Sequence, residues 1–289
     1  MDTTNAVATN QESPVLGVGA TGKTGRRVAR RLASHGVPTR NVSRSSSPAF
    51  DWNRPETWDP VLEGISAIYI NYAPDLAIPG AVQAIHGLVE KAVDAGAQRL
   101  VLLSGRGEEE ARACERVVQS ASIEWTIVRA SWFYQNFSEG AFQQMVLDGT
   151  IAVPAGDVPE PFIDADDIAD VVTASLTDSA HAFETYDVTG PELLTFGELA
   201  ERLSRALGRE IGFLPVERRN FSETLELAGT PPDYVWLLDY LFGTVLDGRN
   251  AYLGDGVQRA LGRQPTDFAT FTQRAIAGDA WSVPKGTAA

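Results

Sequence analysis

Cysteine is almost missing from this chain: Cys114 is the only one, which excludes an intrachain disulfide. Three histidines beside it leave little for a zinc site built on Cys and His. Lysine is nearly as scarce. The 24 basic residues include only Lys23, Lys91 and Lys285, so no lysine lies between 91 and 285. Positive charge is outnumbered overall, 24 against 38, for a net charge of −14. So acidic a surface repels nucleic acid and anionic lipid. No run approaches the roughly 20 apolar residues of a membrane span. Residues 1–13 carry no Lys or Arg and do not read as a secretory signal. The expectation is a soluble cytoplasmic protein with a loose, disordered tail over 1–13. Its partner is a small molecule, with no nucleic acid and no membrane, and its oligomeric state is open between monomer and dimer.

What is present is globular. With 289 residues, 44% hydrophobic and 21% charged, the chain is long enough for one large domain or two ordinary ones. Val15-Leu16-Gly17-Val18 runs straight into a glycine-rich turn, and residues 24–34 follow with Val28, Ala29, Leu32 and Ala33 on one helical face. Extended segments at 39–43, 67–71, 99–104 and 124–129 alternate with helical ones at 79–95 and 108–121, which argues for βαβ units around a parallel sheet. Beyond Gly149 the rhythm changes. Residues 161–163 read as a short extended piece, Asp164 as a helix N-cap, and 186–188 as one more strand. Thr195 to Glu198 is a capping box, with Gly208 as the C-terminal glycine of that helix. The predicted architecture is α/β, a Rossmann-type doubly wound parallel sheet over 14–190 with a smaller, mainly helical C-terminal substrate region over 191–289.

The segment Gly17-Val-Gly19-Ala-Thr21-Gly22-Lys23-Thr24-Gly25 fits two phosphate-binding patterns. From Gly17 it is G-x-x-x-x-G-K-T, a P-loop. From Gly19 it is G-x-x-G-x-x-G, a variant dinucleotide turn. Both set backbone N–H groups and a helix N-terminus around phosphate. A P-loop enzyme needs an acidic strand end to hold magnesium, whereas the apolar strands here end in Asn71, Ser104 and Arg129. A dinucleotide fold needs a discriminating residue after its second strand. Arg44, among Ser43, Ser45 and Ser46, suits the 2′-phosphate of NADP.

These pieces, with VSRS (42–45), FDW (50–52), LVLLSG (100–105), WTIVRASWFYQNF (125–137), PFIDADDIADV (161–171) and LGRQPTDFATF (261–271), run in order over nearly the whole chain. In them the sequence resembles the NmrA-like group of atypical short-chain dehydrogenases/reductases. The resemblance implies a Rossmann domain holding NADPH and sets the P-loop aside. It implies cofactor contacts from Gly19, Thr21, Gly22, Lys23, Thr24, Gly25, Arg44, Asp51, Tyr72, Ser104, Ser131, Trp132 and Phe133. The group holds both reductases of small organic molecules and regulators that bind NAD(P) and catalyse nothing.

The superfamily's usual acid is a tyrosine with a lysine four residues later. None of the seven tyrosines here has one: the residues at that offset are Ala73, Leu76, Ser138, Gly190, Leu238, Thr244 and Gly256. The expected function is therefore NADPH-dependent reduction of a carbonyl (ketone or quinone), or a related C=N or C=C acceptor, in a bulky aromatic secondary metabolite. Positioning supplies most of the rate. Ser104, Tyr134 and Asn136 are the polar candidates for catalysis. The alternative is a non-catalytic NADP(H) sensor acting on a partner protein. Asp164, Asp166, Asp167 and Asp170 read as helix-capping charges rather than a metal cluster. Cys114 reads as an unreactive mid-helix thiol.

Overall fold

A computed structural model of the chain describes residues 13–282. The tail expected over 1–13 lies, up to residue 12, outside the described residues. Six strands form one parallel sheet: β1 (Val15–Val18), β2 (Thr39–Val42), β3 (Ala67–Ile70), β4 (Arg99–Gly105), β5 (Glu124–Ala130) and β7 (Glu184–Val188), in the order β2-β1-β3-β4-β5-β7. Helices α1 (Gly25–Ser34) and α6 (Ala165–Thr177) cover one face, α2 (Asp59–Leu62), α3 (Ala81–Asp94) and α4 (Glu109–Gln119) the other. A sheet covered on both faces must be apolar on both. Accordingly Leu16, Ile68, Ile70, Leu100 and Leu102 pack toward α3 and α4, and Val15, Ala67, Tyr69, Val101 and Val128 toward α1 and α6.

Charge locks the layers. Arg27 and Arg31 of α1 reach Asp166 and Asp170 of α6. Asp164 caps α6 by accepting from the Asp166 N–H at 2.8 Å, as the sequence suggested. On the other face Glu115, only 2% exposed, binds Arg129 through two nitrogens, Nε at 2.9 Å and Nη2 at 2.5 Å, and accepts from Ser104 Oγ at 2.6 Å.

Residue 190 does not divide the two cores. Between β5 and α6 the chain leaves the sheet and forms α5 (Gln143–Asp148) and β6 (Thr150–Val153). It returns after α7 (Phe196–Leu207), and β8 (Gly212–Pro215) pairs with β6 in parallel, Thr150 opposite Gly212. Then come α8 (Arg218–Leu227), α9 (Pro232–Tyr240), α10 (Gly256–Leu261) and α11 (Phe268–Ala277). The second core joins Phe137, Phe142, Ile151 and Phe162 to Phe196, Leu203, Phe242 and Phe271. It thus draws on both sides of the expected boundary. The reason is β6–β8 pairing, a long-range contact with no local sequence signature.

Glu160 lies at this junction, fully buried, with neither side-chain oxygen hydrogen-bonded among the described residues. Burial pushes its carboxyl up to about 7; Arg106 opposes this and Asp247 adds to it. Because the folded-state value is the raised one, its contribution is intact below the unfolded value near 4.5 and is lost as pH climbs toward 7. The loss amounts to about 3 kcal/mol at 1.36 kcal/mol per pH unit. Urea midpoints of the protein should therefore fall between pH 5.5 and 8, and Glu160→Gln should remove most of that slope. Equal slopes in both proteins would refute the assignment.

Candidate active site

The strand order reverses between β1 and β3, where a doubly wound sheet opens a crevice at the C-terminal strand ends. The glycine loop sits there. Gly19 has φ +71°, which a side chain would strain. Gly25 begins α1 so close to the loop that an added Cβ would collide with the Gly19 carbonyl and lie 2.9 Å from Ala20 Cα. The amides of Lys23, Thr24 and Gly25 donate to no backbone or side-chain acceptor among the described residues. The loop thus leaves bare donors at a helix N-terminus, the arrangement that binds phosphate.

Cations crowd the same place. Lys23 Nζ donates to Asn136 Oδ1 at 2.9 Å, and burial first, then Arg26 and Arg27, lower its ammonium to about 8. Arg26 and Arg27 both meet Glu139. Beside the loop a hollow of about 330 Å³ is lined by Thr21, Arg26, Asn41, Ser43, Ser45 and Ser46. Arg44 is exposed at its edge in sequence, with no carboxylate within 4.0 Å among the described residues. Arg26 is a cation of this hollow that the sequence reading passed over as one more helix arginine. Its place in the first turn after the glycines was the available signal.

Thr24 turns inward instead, 2% exposed, its hydroxyl 2.9 Å from Tyr69 Oη. Asp51 shapes the loop after β2: its Oδ1 accepts from Asn53 N–H at 3.0 Å. Tyr72, half-buried just past β3, packs 4.7 Å from Trp52.

Two predicted polar residues are not presented to the crevice. Ser104 is 3% exposed and its hydroxyl is held by Glu115, on the α4 side of the sheet. Tyr134 is fully buried, its ring 5.0 Å from Phe268 and 5.2 Å from Phe271. Its hydroxyl has no partner among the described residues, and burial above all raises its pKa. The alternation of aromatic and polar residues after β5 turned Tyr134 into the second core. Asn136 is brought to Lys23. Ser131 is buried and accepts from Arg106 Nη1 at 3.3 Å. Trp132 is half-buried against Phe142, Phe196 and Phe242. Phe133 is half-buried and bridges to Ile163.

A second group near the C-terminal strand ends is acidic and aromatic, which no sequence motif announced. Asp75 follows β3 and Glu108 follows β4, and, after burial, the Asp75 charge raises the Glu108 carboxyl. Above them α9 brings Tyr234 within range of the Asp75 charge and Tyr240, whose hydroxyl donates to Glu110 Oε2 at 2.7 Å. Trp236 lies parallel to Tyr240, ring centres 5.4 Å apart. On its outer side Glu108 borders a polar cleft of about 380 Å³ lined also by Arg106, Arg112, Arg129, Arg249 and Asn250.

The chain is similar to known proteins. The sequence profile of a family described as NAD(P)H-binding matches residues 19–179. An uncharacterized oxidoreductase of Bacillus subtilis, YesF, is 29% identical over 90% of this chain and 94% of its own. Festuclavine synthase II of Penicillium roqueforti is 30% identical over 88% of this chain and 95% of its own. The crystal structure of NmrA, a negative transcriptional regulator in complex with NADP, superposes with a TM-score of 0.69 at 16% identity, covering 95% of this chain and 99% of that one. No helix of the described residues is long and apolar enough to cross a membrane.

Proposed function

Because this chain belongs to the NAD(P)H-binding family, in its NmrA-like group of atypical short-chain dehydrogenases/reductases, and is an NAD(P)H-dependent oxidoreductase, we propose that it uses NADPH to reduce a ketone, a quinone or a related C=N or C=C acceptor carried by a small, flat organic molecule. One observation carries this reading: the loop after β1 leaves a bare phosphate cradle at the C-terminal end of the parallel sheet, beside a hollow lined by Arg26 and serine hydroxyls. The donor set fits the coenzyme, since the unpartnered amides of residues 23–25 stand at the start of α1 with Lys23 and Arg26 on the same loop and turn.

When bound, NADPH supplies the hydride. The chain's own part is to bind and orient. The amides of residues 23–25 would take up the pyrophosphate charge, and Lys23, its ammonium lowered to about 8 by burial first and then by Arg26 and Arg27, would be held charged by a neighbouring anion. Arg44, Arg26 and the hydroxyls of Ser43 and Ser45 hold the 2′-phosphate. Tyr72, Trp132 and Phe133 wall the crevice against water, and Ser131 and Asn136 offer polar contacts. Tyr234, Trp236 and Tyr240 present flat faces to a polycyclic acceptor.

The test is a panel of ketones, quinones and iminium ions mixed with purified protein and NADPH. Stoichiometric reduced product is expected from at least one class; no oxidation above background across the panel would leave the sensor reading standing. The 2′-phosphate assignment has its own check. A charged hydrogen bond contributes about 1.5–3 kcal/mol, so Arg44→Ala should raise the Kd for NADPH roughly ten- to a hundredfold and change that for NADH less than threefold. Equal weakening of both coenzymes would place Arg44 elsewhere.

A further inference from the structure

We propose that Glu108, backed by Asp75, holds the proton that this protein delivers to a reduced carbonyl, in place of the Tyr–Lys pair the sequence lacks. The inference rests on the reductase reading and goes beyond it by assigning the acid.

Glu108 stands immediately before α4, where an acidic side chain ordinarily turns toward the helix amides. Here it makes no capping bond. Its side chain folds back over Gly105, the last residue of β4, so that a Cβ there would lie 2.6 Å from Oε2 and closer still to Oε1. Gly105 is a glycine because a carboxyl occupies the space beside it. Glu108 is only 5% exposed, and Oε2 has no hydrogen-bond partner among the described residues. An unpaired carboxylate buried in this way is costly, and the group keeps a proton instead.

Its neighbours enforce that state from each side. Asp75 faces it from the β3–α3 turn, and Glu110 and Glu115 from α4. The Tyr240 hydroxyl donates to Glu110, and Tyr234 and Cys114 both lie within range of the Asp75 charge. The cleft beside it also holds Arg106, Arg112, Arg116, Arg129 and Arg249; Arg106 donates to the Asn250 and Tyr252 carbonyls, Arg129 pairs with Glu115 and Asp187, and Arg249 with Asp247. Burial first and Asp75 second raise Glu108 well above an ordinary glutamate, and burial also raises Asp75. Two facing carboxyls that share a proton are a known acid–base device. The pair spans the ends of β3 and β4, adjacent strands at the crevice mouth, and the arginine-lined cleft on its outer side connects Glu108 with solvent.

The step balances. As hydride reaches the acceptor carbon, the C=O π electrons settle on oxygen. The Oε2–H bond of Glu108 breaks and its proton makes the hydroxyl. The carboxylate left behind regains a proton through Asp75 or from water in the cleft. A preformed iminium ion needs no such proton, because its nitrogen becomes neutral on taking hydride.

Two measurements on the whole protein test this. In the ligand-free protein, infrared difference spectra against Glu108→Gln should show the carbonyl stretch of a protonated carboxyl at pH 7, fading at a pH above the ordinary glutamate range. In turnover, Glu108→Gln should lower the ratio of ketone to iminium kcat a hundredfold or more, the scale of general acid catalysis. Asp75→Asn should lower the pH at which ketone reduction by the wild-type declines. Absence of the infrared band overturns the proposal, as does an unchanged ratio or an equal fall on both acceptors, which would mark Glu108 as structural. If wild-type protein turns over neither acceptor, the reductase reading falls with it. If it turns over both and Glu108→Gln matches it, only the acid assignment falls.

Discussion

Gly25→Ala will cost this protein its coenzyme: the Kd for NADPH is expected to rise at least a hundredfold, measured by fluorescence titration. The methyl group has nowhere to go. It would meet the carbonyl of Gly19 and the Cα of Ala20, both backbone and neither able to swing aside. The loop must lift from the start of α1, and the amides of residues 23–25 then no longer converge on one phosphate. Pyrophosphate binding depends on that convergence, so even a shift of a few tenths of an ångström is felt by several donors at once. Gly156→Ala serves as the control, since an added Cβ there meets nothing within 4 Å. It should leave both Kd and thermal midpoint as they were. A Gly25→Ala protein with native circular dichroism and a Kd within threefold of wild type would remove the loop from the binding site.

Glu115→Ala should destabilise the fold by about 3–5 kcal/mol, the usual loss when one partner of a buried ion pair is deleted. The substitution strands Arg129, 9% exposed, with only Asp187 at 3.2 Å to answer its charge. It also frees the Ser104 hydroxyl. The urea midpoint should drop without a change in m-value, the pattern of lost stability with an unaltered denatured state. Glu115→Ala/Arg129→Met should recover much of the loss, because no charge is then left unpaired. A single variant within 1 kcal/mol of wild type would mean that water reaches this pair.

The first half of the fold was legible because its signals are local. Val15 to Val18 followed by three glycines at threefold spacing reads as strand, turn and helix, and the structure has β1, the cradle and α1 there. The Thr195–Glu198 box is formed by both side chains, and Gly208 ends its helix at φ +64°. What was not legible depends on contacts distant in sequence. The β6–β8 pair joins residues some sixty positions apart, and Leu214 in it is 52% exposed, so no apolar pattern marks it. Ser104 follows the apolar run of β4 and reads as pointing into the crevice, but the two-residue alternation of a strand sends its side chain to α4. Glu108 opens a run of three glutamates that resembles a solvated helix start. Only the fold, which lays its side chain over Gly105 and brings Asp75 near from 33 residues earlier, makes one of the three a buried acid.

The excursion of the chain between β5 and α6 bears on how specificity could be transplanted. Residues 132–162 leave the nucleotide domain, supply the aromatic rings on which the later helices rest, and come back. A chimera that swaps only the tail after residue 190 would join half of one hydrophobic jigsaw to half of another. Grafting a relative's preference onto this scaffold takes two cassettes exchanged together, and natural recombination within the family faces the same requirement.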